Sequence, residues 1–169
     1  MDTIKIIFLA KGGEGIKSIS LKLAKAINST GLFCQSFPEY GPERSGSYIS
    51  AYLRISDHEI LSHYPIKKPT IVISTYELQK YQKGVFYLVN SNQNIRNNNI
   101  IFLQAKKLAK KNNCPFFNFV LLGGLLTILE KQFNLDINEI LNYFKKDLII
   151  SKKDFGLLSL GFIKTKQLL

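Results

Sequence analysis

The sequence predicts an α/β fold: a three-layer domain with a mainly parallel central sheet and a helical C-terminal third. Three observations lead there. The chain opens with an apolar, β-branched run, "TIKIIFLA", followed by glycines and then by apolar positions at helical spacing. Further short apolar runs recur up to "IIFLQA", separated by polar or turn-rich stretches. From Asn118 onward the apolar spacing is helical. At 169 residues the chain is expected to form one domain, 1–169, with no internal repeat and no linker to divide it.

The elements follow in order. "TIKIIFLA" reads as a strand covered on both faces. After "KGGEG", the segment "IKSISLKLAKAIN" carries Ile16, Ile19, Leu21, Leu23, Ala24 and Ile27 at helical spacing. Thr30-Gly31 ends it, and "LFCQSF" is a second strand, so the opening predicts a βαβ unit with parallel strands. "SYISAYLRIS" alternates as a strand with one wetter face. "TIVIS" is a short buried strand, "TYELQKYQ" a short helix, "VFYLVNS" a strand and "NQNIRNNN" a polar surface loop. "IIFLQA" is the last strand and "KKLAKKNN" a short basic helix. "FVLLGGLLTILEKQF" is apolar nearly all round and predicts a buried helix. Its Gly123-Gly124 pair costs about 1 kcal/mol of helix propensity per glycine, which predicts that another backbone packs there. Asp136 with Glu139, and Ser151 with Asp154, have capping-box spacing at the starts of the last two helices.

Composition narrows the function classes. The chain is 46% hydrophobic and 21% charged, which suits a packed globular domain and excludes a disordered one. Its net charge of +11 favours acidic partners. Much of the excess lies in Lys-Lys pairs spread over several elements, which make no single recognition stripe. No RNA-recognition, zinc-finger or helix-turn-helix signature accompanies the charge, so nucleic acid is not an expected partner. The longest apolar run is shorter than the roughly 20 residues that span a bilayer. The N-terminus has no signal-peptide pattern. No membrane partner and a cytoplasmic location are therefore expected. Cys34 and Cys114 form no metal-ligand spacing, and Cys34 reads as a small core residue. His58 and His63 stand in polar loop sequence and read as surface residues. No motif places a nucleophile, so no catalytic residue and no metal site are assigned to this chain.

Two loops carry the candidate chemistry. A glycine turn between strand and helix presents backbone N–H groups to an anion. Gly13 and Gly15 meet the start of the dinucleotide fingerprint, but Ser18 stands where the third glycine belongs. Lys17-Ser18 follows Ile16 where a phosphate loop has glycine. A tight turn that lets helix pack on strand explains the same glycines. The second loop is "FPEYGPERSG". Turn chemistry accounts for its glycines and prolines, but not for Glu39, Glu43 and Arg44 together. In an open α/β sheet both loops would emerge at the carboxyl ends of neighbouring parallel strands. Arg44 offers a planar fork for a phosphate or carboxylate, which Glu39 and Glu43 would orient. Alternatively, the two glutamates would meet basic groups of another chain.

"AKGGEG" followed by "FPEYGPERSGSYISAYLRIS" resembles the gamma subunit of the 2-oxoacid:ferredoxin oxidoreductases. In that family a G-x-G-G-Q-G turn precedes a "YGPERRGG"-like loop leading into "VRIS". Tyr40, Gly41, Pro42, Glu43, Arg44 and Gly46 match the loop, with Ser45 in place of a second arginine. In the turn Gly12, Gly13 and Gly15 match, while Ala10 replaces a glycine and Glu14 the glutamine. "KKPTIVIS", "GVFYLVNS", "NFVLLGGLLTIL" and "KKDFGLLSLGF" are similar, in order, to later family segments.

The resemblance implies an accessory subunit, inactive alone, of a complex that decarboxylates a 2-oxoacid (2-oxoglutarate or pyruvate) oxidatively to acyl-CoA and CO2. It implies alpha and beta partner subunits, with a delta subunit as a further candidate, and ferredoxin or flavodoxin as acceptor. Thiamine diphosphate with magnesium and the iron–sulfur cluster would belong to the complex, with coenzyme A as co-substrate. The implied cofactor-binding residues are Gly12, Gly13, Glu14 and Gly15 of the turn, and Glu39, Tyr40, Gly41, Glu43, Arg44 and Gly46 of the loop. An interface role for the same loop ranks beside coenzyme A binding. The alternative is a stand-alone nucleotide- or coenzyme A-binding α/β module.

Overall fold

A computed structural model describes residues 2–39, 47–146 and 150–169 of the chain. Seven strands form one mixed sheet: β1 (Ile4–Lys11), β2 (Phe33–Glu39), β3 (Tyr48–Ser56), β4 (Ile71–Ser74), β5 (Phe86–Asn90), β6 (Ile95–Asn97) and β7 (Ile100–Leu103). The helices are α1 (Ile16–Asn28), α2 (Ala105–Lys111), α3 (Asn118–Phe133), α4 (Asn138–Lys146) and α5 (Lys152–Lys166). The strand order is β2-β3-β1-β4-β5-β7-β6. The centre, β1-β4-β5-β7, is parallel, and only β3 and β6 run against the rest. The predicted α/β class, parallel sheet centre and helical C-terminal third are all present.

Strand alternation divides the core. Ile4, Ile6, Phe8 and Ala10 of β1 share the helix-bearing face with Leu53, Ile55, Ile71, Ile73, Leu88 and Ile101. The opposite face gathers Ile7, Leu9, Val72, Tyr87, Val89 and Phe102. Irregular chain covers it, through Leu78, Tyr81 and Val85. "TYELQKYQ", expected to be a helix, is not one. Its apolar residues Leu78 and Tyr81 lie against the sheet, and its backbone is held by tyrosine hydroxyls. Tyr81 Oη accepts from the Leu78 N–H (3.4 Å) and Tyr87 Oη from the Gln82 N–H (2.9 Å). The expected loop "NQNIRNNN" contains the exposed edge strand β6, turned back on β7 by Asn98 at φ 51°.

The βαβ reading needs a larger correction. β1 and β2 do run in the same direction, but they are not neighbours. β3 lies between them, antiparallel to both. A one-dimensional pattern shows where strands are; it does not show which later strand enters the gap.

The C-terminal third bears out the glycine argument. α3 is buried from Asn118 to Leu129 because α5 lies across it. A methyl group at Gly123 would overlap the Leu158 carbonyl and come within 2.7 Å of the Phe162 nitrogen. One at Gly161 would lie 2.7 Å from the Val120 carbonyl carbon. Thr127 Oγ1 donates at 3.1 Å to the Phe162 carbonyl across the crossing. Ser151 caps α5, its Oγ accepting from the Asp154 N–H at 3.1 Å. Asp154 accepts from the Ser151 hydroxyl in return, at 2.8 Å. At the start of α4, the Asp136 carboxylate accepts from the Asn138 N–H at 2.9 Å.

Candidate functional site

Because β1, β2, β4, β5 and β7 point the same way, their carboxyl ends share one edge of the sheet. The glycine turn lies there, between β1 and α1. Gly13 (φ 91°) and Gly15 (φ 72°) hold positive φ values that L side chains adopt only with strain. Gly15 is the N-cap of α1 and offers no side-chain cap. Among the described residues, the N–H groups of Gly13, Gly15, Ile16 and Ser18 have no hydrogen-bond acceptor. The first turn of α1 contains no acidic residue. Such N–H groups and the positive end of the helix dipole are chemically suited to an anion.

The turn is braced from three sides. The Gly12 N–H donates to the Ser47 carbonyl at 2.9 Å, which ties it to the chain just beyond the second loop. Asn118, buried at the start of α3, donates from Nδ2 to the Gly15 carbonyl at 3.2 Å, and its side chain occupies the space a Gly15 Cβ would need. Glu14 is held by two donors: the Lys11 N–H (2.9 Å) and the Thr75 hydroxyl at the end of β4. Its carboxylate thus fastens the ends of β1 and β4 together.

Glu39 stands at the same edge, at the end of β2, and accepts a hydrogen bond from the Tyr52 hydroxyl. Burial, reinforced by Glu39, pushes the Tyr52 phenol up to about 12. Glu39 pairs with Ser50, which pairs in turn with Leu9. The carboxyl ends of β1 and β2 are therefore on one edge but separated by β3, rather than on neighbouring strands. Tyr40, Gly41, Glu43, Arg44 and Gly46 lie outside the described residues.

Sequence reasoning missed several residues that the fold brings to this edge. Besides Thr75 and Asn118, Tyr48 at the start of β3 is 67% exposed, with its ring 4.8 Å from that of Tyr76. Burial, with Tyr48 and Glu14 nearby, raises the Tyr76 pKa. Asn90 bridges the Thr75 carbonyl (3.1 Å) and the Lys106 N–H (3.0 Å), and Ser91 donates to Glu77 at 2.5 Å. The available signal was position: Thr75, Asn90 and Ser91 stand at or just after the ends of parallel strands. His58 and His63 are exposed, bonded to Asp57 and Gln35 respectively. Cys34 is half-buried against the core, and burial pushes its thiol up to about 12. Among the described residues no group of three His, Cys, Asp or Glu side chains could hold a metal. No helix among them is long and apolar enough to cross a membrane.

Comparison with known proteins matches residues 5–151 to the pyruvate ferredoxin/flavodoxin oxidoreductase family. Over 70 residues the chain is 41% identical to the pyruvate synthase subunit PorC of Methanocaldococcus jannaschii, a match covering 41% of this chain and 39% of that protein. It is 36% identical over 70 residues to the pyruvate/ketoisovalerate oxidoreductases common subunit gamma of Thermococcus kodakarensis, covering 41% of this chain and 38% of that one. The match thus spans well under half the length of these curated relatives. In fold, the chain is similar to the pyruvate oxidoreductase subunit PORC of Thermotoga maritima, with a TM-score of 0.74 and 22% identity over 96% of this chain and 97% of that one. It is also similar to a keto/oxoacid ferredoxin oxidoreductase gamma subunit from Geobacter sulfurreducens, with a TM-score of 0.76 and 16% identity over 99% of both chains. A third likeness is to the 2-oxoglutarate:ferredoxin oxidoreductase of Magnetococcus marinus, whose structure holds 2-oxoglutarate, coenzyme A and succinyl-CoA. There the TM-score is 0.72 and the identity 19%, over 99% of this chain and 31% of that one.

Proposed function

The chain belongs to the pyruvate ferredoxin/flavodoxin oxidoreductase family, and on that premise we propose that it is a one-domain accessory subunit, of gamma type, in a 2-oxoacid:ferredoxin oxidoreductase. The complex converts a 2-oxoacid, pyruvate or 2-oxoglutarate, to acyl-CoA and CO2 in the cytoplasm. Its alpha and beta subunits, with or without a delta subunit, hold thiamine diphosphate and magnesium, and ferredoxin or flavodoxin takes the electrons. The two cysteines of this chain are too few for the four thiolates that hold an iron–sulfur cluster, so that cluster is assigned to the partners. Bound thiamine diphosphate would stabilise the carbanion formed on decarboxylation.

The part left to this chain is to hold coenzyme A. One observation carries that reading: the N–H groups of Gly13, Gly15, Ile16 and Ser18, unpaired among the described residues and gathered at the carboxyl edge of the sheet. They fit a phosphate or pyrophosphate group, and Arg44 of the second loop supplies a cationic fork for the same anion. Glu14 stands close by, but its charge is engaged by the Lys11 N–H and the Thr75 hydroxyl. A second role rests on Tyr48, a large aromatic side chain 67% exposed beside the turn. It suits a contact with a catalytic subunit, and one edge can serve both purposes.

The test is an anaerobic pull-down of the tagged chain from its native extract, followed by 2-oxoacid-dependent dye reduction. The expected result is recovery of larger subunits carrying thiamine diphosphate and iron, with activity that requires coenzyme A. Recovery of the chain alone, without activity, would leave a free nucleotide- or coenzyme A-binding module.

A further inference from the structure

The opposite end of the sheet, where β1 begins and β3 ends, gathers more cations than carboxylates. Arg54 and Lys5 are register partners on adjacent strands, so two positive side chains stand directly side by side. Like charges in that relation destabilise a sheet. Arg54 is 5% exposed, and burial lowers the pKa of its guanidinium. The guanidinium donates to Gln35 Oε1 at 3.1 Å and to the Tyr64 carbonyl, and lies 5.3 Å from the centre of the Phe37 ring. All three partners are neutral. Among the described residues, no carboxylate lies within ion-pair distance of Arg54, Lys5, Lys67 or Lys68. A buried cation of this kind is costly unless an anion meets it.

A cavity of about 800 Å³ opens at this place. Arg54, Lys5, Lys67 and Lys68 line it, with Glu59 as its one acidic residue and His58 beside it. The segment 58–68 forms its other wall, with Tyr64 contributing both the carbonyl that holds Arg54 and an exposed ring. From Lys5–Arg54 to Lys11–Tyr48 the register advances by six residues. At about 3.3 Å per residue this puts the cavity about 20 Å from the glycine turn. The two cannot share one phosphate group.

We propose that this cavity is a second anion-binding site, taking a small doubly charged oxyanion: a phosphate group or a dicarboxylate. Arg54 supplies the planar donor at its floor, and Lys5, Lys67 and Lys68 supply charge at its rim. Four cations against Glu59 leave an excess that one carboxylate would not balance. The inference does not depend on the oxidoreductase partners and can be tested on the whole chain alone.

The experiment is a titration of the ¹⁵N-labelled full-length chain with inorganic phosphate and, separately, with succinate. Both are compared with sodium chloride at matched ionic strength, while the Arg54 Nε–H and the amides of residues 58–68 are followed. Saturable shifts at those positions are expected with at least one of the two anions, and the anion that saturates identifies the ligand class. The exposed pair K67A/K68A, which leaves the core untouched, should weaken the affinity several-fold. R54Q should weaken it about tenfold or more. Shifts confined to Gly13–Ser18 would mean that the anion uses the glycine turn alone, and would overturn the proposal. So would non-saturating shifts no larger than those in chloride, or affinity unchanged in K67A/K68A.

Discussion

The glycine turn and the α3–α5 crossing both depend on glycine, for opposite physical reasons. At the crossing the backbone is ordinary helix and space is absent: a Cβ on Gly123 or Gly161 would enter the neighbouring backbone. At Gly13 space is free, with no atom within 4 Å of where a methyl group would sit, but φ is 91°. The crossing uses glycine to bring two helices together. The turn uses it to leave donors uncovered. One region closes two backbones together and the other holds backbone N–H groups open, and the same residue type serves both.

The largest effect is expected at the crossing. Gly123→Ala or Gly161→Ala should destabilise the chain by about 3 kcal/mol, because backbone rather than a flexible side chain must move. The urea midpoint measures this. A shift no larger than that of a surface substitution would mean the helices do not touch there. Gly13→Ala should cost less, about 1–2 kcal/mol from the left-handed conformation alone. It should also weaken coenzyme A binding by titration calorimetry, which the crossing variants, where still folded, should leave unchanged.

Gly156 tests the contrast from the other direction. It lies in α5 on an exposed face, with nothing within 4 Å of its missing Cβ and no positive φ. Gly156→Ala should therefore raise stability by up to about 1 kcal/mol, the gain in helix propensity. A third glycine in the same helical region thus gives the opposite sign. Glu14→Gln keeps an oxygen for the Lys11 N–H and the Thr75 hydroxyl while removing the charge. Coenzyme A affinity should rise a few-fold, since a carboxylate near a phosphate subtracts about 0.3–1 kcal/mol at a helix terminus. Unchanged affinity would place the anion away from the turn.

An effect confined to high pH concerns Cys34, packed against the helix-side core. Its thiol is raised from 9.0 to about 12 by burial, so it stays protonated while the unfolded chain would already ionise. The native state then holds the extra proton between those values. Its contribution to stability is complete below pH 9 and is lost as the pH rises toward 12. Iodoacetamide labelling of the native chain at about pH 8 should be slow and accelerate about tenfold per pH unit. Rapid labelling under the same conditions would show an accessible thiolate instead.

What the sequence made legible follows from the range of each interaction. β1, the glycine turn and α1 are adjacent in the chain, and the hydrophobic period specifies them locally. The Ser151–Asp154 cap joins residues one helical turn apart. The close packing at Gly123 was readable because glycine inside an apolar helix has a cost that something must offset. The place of β3 was not readable, because its register with β1 joins residues such as Lys11 and Tyr48, far apart in the chain. The segment at Thr75–Gln82 misled because Leu78 and Tyr81 have a helix-like separation, yet both serve to cover the second sheet face. In the candidate site the glycines were visible from sequence. Thr75, Asn118 and Tyr48 were not, since only the assembled sheet brings their elements to one edge.

The α3–α5 crossing also sets when α3 can be covered during synthesis. α3 is buried along most of its length in the finished chain, and α5 supplies one of its covering faces later in translation. While residues 152–166 are still inside the ribosome, the apolar side of α3 has no helix to close over it. That interval is when the nascent chain is most exposed to aggregation and to chaperone capture. A stall introduced just after α3 should therefore lower the soluble yield more than one introduced after α5.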